Sequence, residues 1–189
     1  MGLDQSIYRV SKPNIEDKVY TAEKISTMGL CRASVEEFES DIHLVGQLKP
    51  YVVKRDVECK FYDVEKMIAD YNLPKDSHIW RYGGGGISIG GVTESGERVN
   101  QEISDDEIQE KYIKTEMLPH YIWAEEEVKY WRKCYELQDW IYENIDTADN
   151  TAYCILSTEL IHAINDWFGE DIPVEEPTEE SALFYWEWY

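Results

Sequence analysis

Between residues 170 and 189 the chain carries two chemically distinct runs. Glu175, Glu176, Glu179 and Glu180 lie in a stretch punctuated by Pro173 and Pro177, and Tyr185, Trp186, Trp188 and Tyr189 follow. Carboxylates grouped in this way pair with Arg and Lys of a partner, and aromatic rings anchor an interface or stack on a guanidinium. The same residues have a plainer use, with rings completing a core and acids facing water. Together these eight residues form the candidate partner-binding set.

A second candidate is the run Gly83, Gly84, Gly85 and Gly86, set between His78–Tyr82 and Ile87–Gly91. A glycine-rich loop can cradle phosphate, but no Walker Lys-Ser/Thr follows and no GxGxxG opens a helix. The spacing suits a turn between two strands, with small-ligand or nucleotide binding at the four glycines as the alternative. The other chemistry-bearing residues are scattered. His43, His78, His120 and His162 belong to no HExxH or ligand-spaced pair, and Cys31, Cys59, Cys134 and Cys154 form no CxxC. They read as reduced thiols, and neither a metal nor a cofactor is expected. Asn165–Glu176 has the length of a calcium loop without its alternating acids and central glycine. No serine sits in GxSxG. A non-enzyme is therefore expected, with a hydrolase of unrecognised site as a second alternative.

Charge is more informative. The 189 residues hold 39 acids and 18 bases, a net of −21. That excludes a conventional nucleic-acid surface, which needs clustered Lys and Arg, and docking on anionic membrane. Residues 1–60 are nearly balanced, with 9 bases and 10 acids, whereas Cys134–Tyr189 has 14 acids and no Lys or Arg. Such a surface either keeps the protein soluble or faces a basic partner. No apolar run approaches the roughly 20 residues of a membrane span. The first residues lack the basic and apolar regions of a signal peptide.

The elements that must position these residues are legible in part. Residues 3–10 and 51–62 read as strands, the latter with Val53, Arg55, Val57, Cys59 and Phe61 on one face. Residues 14–34 read as irregular. Ser34 and Glu37 form a capping box, Asp63 caps a helix over Val64–Tyr71, and Ser104 caps another turn. Residues 93–102 read as a loop, and 111–123 as a strand interrupted at Pro119. The stripe Val128, Trp131, Cys134, Leu137, Ile141 and Ile145 predicts one long helix over Glu125–Ile145, the structural spine. A further helix runs from Ser157 to Phe168 with Leu160, Ile161, Ile164, Trp167 and Phe168 as its apolar face, and Gly169 ends it. The sum is an α+β single domain over residues 1–169, a mixed or antiparallel sheet with two or three packed helices. Residues 170–189 are expected as an acidic, then aromatic tail docked upon it.

The opening Met1–Asp4, the segment Glu127–Trp140 with its Glu-Val-x-Tyr-Trp-Arg-Lys core, and Tyr153–Ser157 resemble a family of small proteins of tailed bacteriophages and prophages that has no established activity. The resemblance covers about a quarter of the chain. It implies a setting, a phage protein in the bacterial cytoplasm, where small acidic proteins often inhibit host or defence machinery as anti-CRISPR or DNA-mimic proteins. The expectation is an inhibitor that binds a basic, nucleic-acid-handling bacterial protein, touching neither nucleic acid nor membrane itself.

Overall fold

A computed structural model describes residues 3–16, 19–40, 47–82, 85–145 and 153–188. The fold is α+β. In chain order its elements are β1 (Asp4–Ser11), β2 (Tyr20–Thr21), α1 (Ala22–Thr27), β3 (Leu30–Ser34), α2 (Val35–Ser40), a 3-10 turn (Lys49–Tyr51), β4 (Val53–Tyr62), α3 (Val64–Asp70), β5 (His78–Tyr82), β6 (Gly86–Val92), β7 (Arg98–Ser104), α4 (Asp105–Lys111), β8 (Ile113–Arg132), α5 (Tyr135–Asn144), β9 (Tyr153–Ile155), α6 (Thr158–Phe168) and β10 (Ser181–Trp188). Contacts divide the chain into two compact units, Met1–Val57 with Leu118–Tyr189, and Glu58–Met117. The expected boundary at residue 169 marks no division, since both sides of it belong to the first unit.

In the larger sheet the strand order is β2-β4-β8-β1-β10-β9, with β3 also paired to β8. The pairings of β1 with β10 and β8, of β10 with β9 and of β3 with β8 are all antiparallel. The aromatic run therefore enters the sheet as β10, between β1 and β9. Side chains alternate across a strand, and both faces of β10 are covered. Leu183 and Tyr185 join Ile7, Leu137, Ile141, Ile161 and Ile164 beneath α5 and α6. Ala182 and Phe184 join Val10, Phe38, Leu48, Tyr51 and Trp123 on the other side.

The expected spine helix over Glu125–Ile145 is not one element. Residues up to Arg132 belong to β8, and only Tyr135–Asn144 is helical. Its helix-like spacing has a strand cause. Opposite β1, Ile7 pairs with Lys129 while Tyr8 pairs with Glu127, so Val128 is an extra residue in the ladder. A bulge resets the two-residue alternation, and Val128 and Trp131, three apart, pack on the same core. The strand then stops at Lys133, whose positive φ of 59° turns the chain into α5. From there Leu137 and Ile141 are a genuine helical pair, both fully buried.

Smaller revisions have similar origins. Residues 14–34, expected to be irregular, hold α1 and β3, with the Thr21 side chain accepting from the Lys24 N–H at 3.0 Å. Pro119 does not interrupt β8. The capping expectations hold at Ser34, where Glu37 N–H donates to Ser34 Oγ and Ser34 N–H to Glu37 Oε2, and at Asp63, Ser104 and Ser157. Gly169 ends α6 in the left-handed conformation, φ 66°.

The second unit holds an antiparallel sheet in the order β5-β6-β7. Met67 of α3 and Ile108 of α4 meet Ile87, Ile89 and Ile103 on one face of it. The expected loop at 93–102 is a turn only as far as Glu97. Thr93 N–H donates to the Glu97 carbonyl at 2.8 Å, and β7 then pairs with β6. Its polar side chains hid it, because one face of β7 is open to solvent.

Candidate functional site

The run with no Lys or Arg builds α5 and α6 of the first unit, with His162 exposed on α6. On α5 the exposed charged side chains are Glu136, Asp139 and Glu143, and on α6 they are Glu159 and Asp166. The core-facing arcs of both helices are apolar, so geometry leaves the acids outward. At 1.5 Å per residue the three acids of α5 span about 10 Å of one helix. The extended segment after α6 adds the exposed Asp171, Glu176, Glu179 and Glu180.

Within that run one aromatic is out of its expected place. The spacing places Trp167 on the buried face of α6, yet it is 76% exposed. The angular arithmetic explains it. Ile161, Ile164 and Phe168 centre the buried arc, and at 3.6 residues per turn Trp167 lies about 120° round the helix from Ile161. Its neighbour Phe168 turns inward and meets the Trp140 ring of α5 edge-on, centroids 6.3 Å apart. Tyr135, at the start of α5, is also exposed. Trp167 and Tyr135 are the residues that pattern reading overlooked; the helical wheel of α6 contained the signal for Trp167.

The acidic residues expected to bind a partner are differently employed. Glu175 grips Arg9 of β1 through two contacts, Arg9 Nε donating to Oε2 at 3.0 Å and a second guanidinium nitrogen to Oε1, while Glu126 takes another Arg9 nitrogen. That guanidinium holds the Glu175 carboxyl below the ordinary glutamate range. Glu180 lies 3.5 Å from Lys12 Nζ, and Glu176 accepts from the Thr158 hydroxyl at 2.8 Å. Glu179 is exposed. Glu175 and Glu180 are thus partly neutralised by Arg9 of β1 and by Lys12 just after it, whereas among the described residues no acid of α5 or α6 pairs with a Lys or Arg.

The aromatic candidates separate further. Tyr185 is fully buried and is removed from any surface set. It anchors a polar cluster under α5: Gln5 Nε2 donates to Tyr185 Oη at 2.7 Å, and Tyr185 Oη donates to Glu187 Oε2 at 2.8 Å. The other Glu187 oxygen accepts from Gln138 Nε2 at 3.1 Å and from the Tyr142 hydroxyl. A carboxylate only 2% exposed is retained because donors from two elements surround it. Trp186 is on the opposite face, partly exposed, its ring 5.9 Å from that of Tyr8. Trp188 stands opposite Asp4 in the β1 register, and Tyr189 lies outside the described residues.

Of the glycine run, Gly83 and Gly84 also lie outside the described residues. Gly85 has φ 88°, and a Cβ on Gly86 would stand 2.3 Å from the Ile103 carbonyl oxygen. Turn geometry and close strand approach account for both. Among the described residues no group of His, Cys, Asp and Glu could hold a metal ion, and no helix is long and apolar enough to cross a membrane. No disulfide joins the four cysteines. Burial pushes the Cys154 thiol up to about 12, with Glu187 adding to it, and burial with Glu125 does the same for Cys31. Neither supplies a thiolate nucleophile at neutral pH. No known protein family, curated protein or solved structure matches the chain.

Proposed function

We propose that this protein is an acidic decoy that occupies the phosphate-binding groove of a basic bacterial protein and inhibits it. The bacteriophage setting, with anti-CRISPR or DNA-mimic inhibitors as the class, rests on the resemblance of Glu127–Trp140 and its companion segments. The observation that carries the reading is the surface of α5 and α6: every exposed charged side chain there is a carboxylate, and Trp167 stands among them 76% exposed. Carboxylates along a helix present a row of negative charge to a groove shaped for phosphates. They speed encounter and make it salt-sensitive. A protruding Trp supplies the apolar anchor that charge alone lacks.

The test is capture of host proteins at low and high salt, followed by competition with duplex DNA. The expected partner is basic, is released by DNA, and is lost when Glu136, Asp139, Glu159 and Asp166 are replaced by Lys. Each reversal adds two charges, so the four move the net charge from −21 to −13. Trp167→Ala is expected to weaken capture by roughly 2 kcal/mol or more. A partner retained by the four-Lys variant, or indifferent to DNA, would overturn the decoy reading.

A further inference from the structure

On the face of the β5-β6-β7 sheet opposite its isoleucine core, Ser88 is buried while His78, Val92, Arg98 and Asn100 are exposed. A cavity of about 370 Å³ lies on this face, lined by His78, Trp80, Gly90, Val92, Arg98 and Asn100 among others. That volume is within the range of small-molecule sites. Three features of the sheet produce it. First, β5 carries a bulge: Ile79 pairs with Ile89 while Arg81 pairs with Ser88, which leaves Trp80 as the extra residue. A bulge re-aims a side chain, and the Trp80 indole is 53% exposed. Second, Gly90 stands between His78 and Asn100 in the register. A Cβ there would meet the Val99 carbonyl oxygen at 2.3 Å, so the close approach of β7 demands glycine and leaves a gap in the row of side chains. Third, Arg98 and Asn100 flank that gap from β7. Arg98 is exposed and forms no ion pair among the described residues, in a chain with more than twice as many acids as bases.

We propose that this face binds a mononucleotide, with the base stacked on Trp80 and the phosphate held by Arg98. An indole offers a π-face to any base, and a guanidinium takes a phosphate through parallel N–H donors. Asn100 supplies both an amide donor and an amide acceptor for a base edge. His78, whose Nδ1 lies 3.5 Å from the Asp76 carbonyl, leaves Nε2 as a ring nitrogen acceptor at the rim. A longer nucleic acid is the poorer occupant. Glu94 and Glu97 stand in the turn before Arg98 and Glu102 follows Asn100 by two residues, so a polyanion tracking the sheet would meet carboxylates.

The test follows the backbone amides of Gly90 and Asn100 and the Trp80 indole by NMR, in the intact protein, during titration with adenosine 5′-monophosphate, adenosine, inorganic phosphate and a single-stranded oligonucleotide. The monophosphate is expected to shift all three signals and to bind more tightly than adenosine or phosphate. Arg98→Gln should weaken the monophosphate about tenfold, the loss of one charge-assisted contact, and leave adenosine unchanged. Trp80→Ala should weaken both. These side chains are exposed, so both variants are expected to melt as the parent does, and unchanged melting separates lost binding from lost fold. Absence of shifts, equal affinity for adenosine and its monophosphate, an effect of phosphate alone equal to that of the nucleotide, or preference for the oligonucleotide would each overturn the proposal.

Discussion

Strand β10 and the β5-β6-β7 sheet are both antiparallel structures rich in bulky side chains, and they treat those side chains oppositely. β10 is covered on both faces, so Phe184 and Tyr185 are sealed and even Glu187 is drawn inside. In the smaller sheet Ile87, Ile89 and Ile103 are buried under α3 and α4, while Trp80, Arg98 and Asn100 from the other face meet solvent. An aromatic residue near an acidic run therefore says little about an interface. What decides is whether a layer covers the face it points from.

The largest effect should come from opening the covered strand. Phe184→Ala removes a fully buried ring that meets Tyr51 edge-on, and a loss of about 3–5 kcal/mol in urea denaturation is expected. Trp80→Ala in the open sheet should change stability by less than about 0.5 kcal/mol. Similar losses for the two would erase the contrast between the strands.

Next is the sealed carboxylate. Tyr142→Phe takes one donor from Glu187 and leaves the ring, so a loss of about 1–3 kcal/mol is expected. An unchanged denaturation midpoint would mean that water reaches Glu187 and that the covering layer is leaky. A cap comes third. Ser157→Ala removes the oxygen that accepts the Leu160 N–H, and about 1 kcal/mol should be lost.

The smallest effect is a pH dependence. Glu175 has a lowered pKa in the folded chain because Arg9 hydrogen-bonds it. Its contribution is therefore present above the unfolded value of about 4.3 and is lost as pH falls through the lower folded value. Glu175→Gln should be less stable than the parent at neutral pH, with the difference shrinking on acidification. A gap that stays constant to low pH would show that the Arg9 pair adds nothing beyond packing.

The parts of the fold that local chemistry dictates were legible in the residues. Ser34 with Glu37, Asp63, Ser104 and Ser157 mark helix starts because their side chains satisfy N–H groups that the helix itself leaves unpaired. The strands β1 and β4 and the hairpin of β5 and β6 were visible for a similar reason, their apolar residues alternating or flanking glycine, whereas β10 read only as an aromatic tail. What escaped depended on partners distant in the chain. The bulge at Val128 exists only against β1, yet it turns a strand into a sequence with helical spacing. β7 lies open on one face and so looks like a loop. For the site, the run without Lys or Arg was readable as charge. The neutralisation of Glu175 and Glu180 by Arg9 and Lys12 was not, because β1 and the segment before β10 are about 170 residues apart and meet only in the sheet.

The same distance governs when the larger sheet can close. Gln5 and Tyr185 touch across 180 residues of chain, and β1 has no described neighbour in the sheet nearer in sequence than β8. A ribosome adding 5–20 residues per second leaves β1 waiting roughly 9–36 s for β10. Throughout that interval Ile7 and Val10 have no native cover from β10, while residues 78–104 hold every strand that their own sheet requires as soon as residue 104 has been added. During synthesis the small sheet can be finished while the large one still lacks β8, β9 and β10. A nascent chain is most exposed to aggregation, and to chaperones, through its earliest strand.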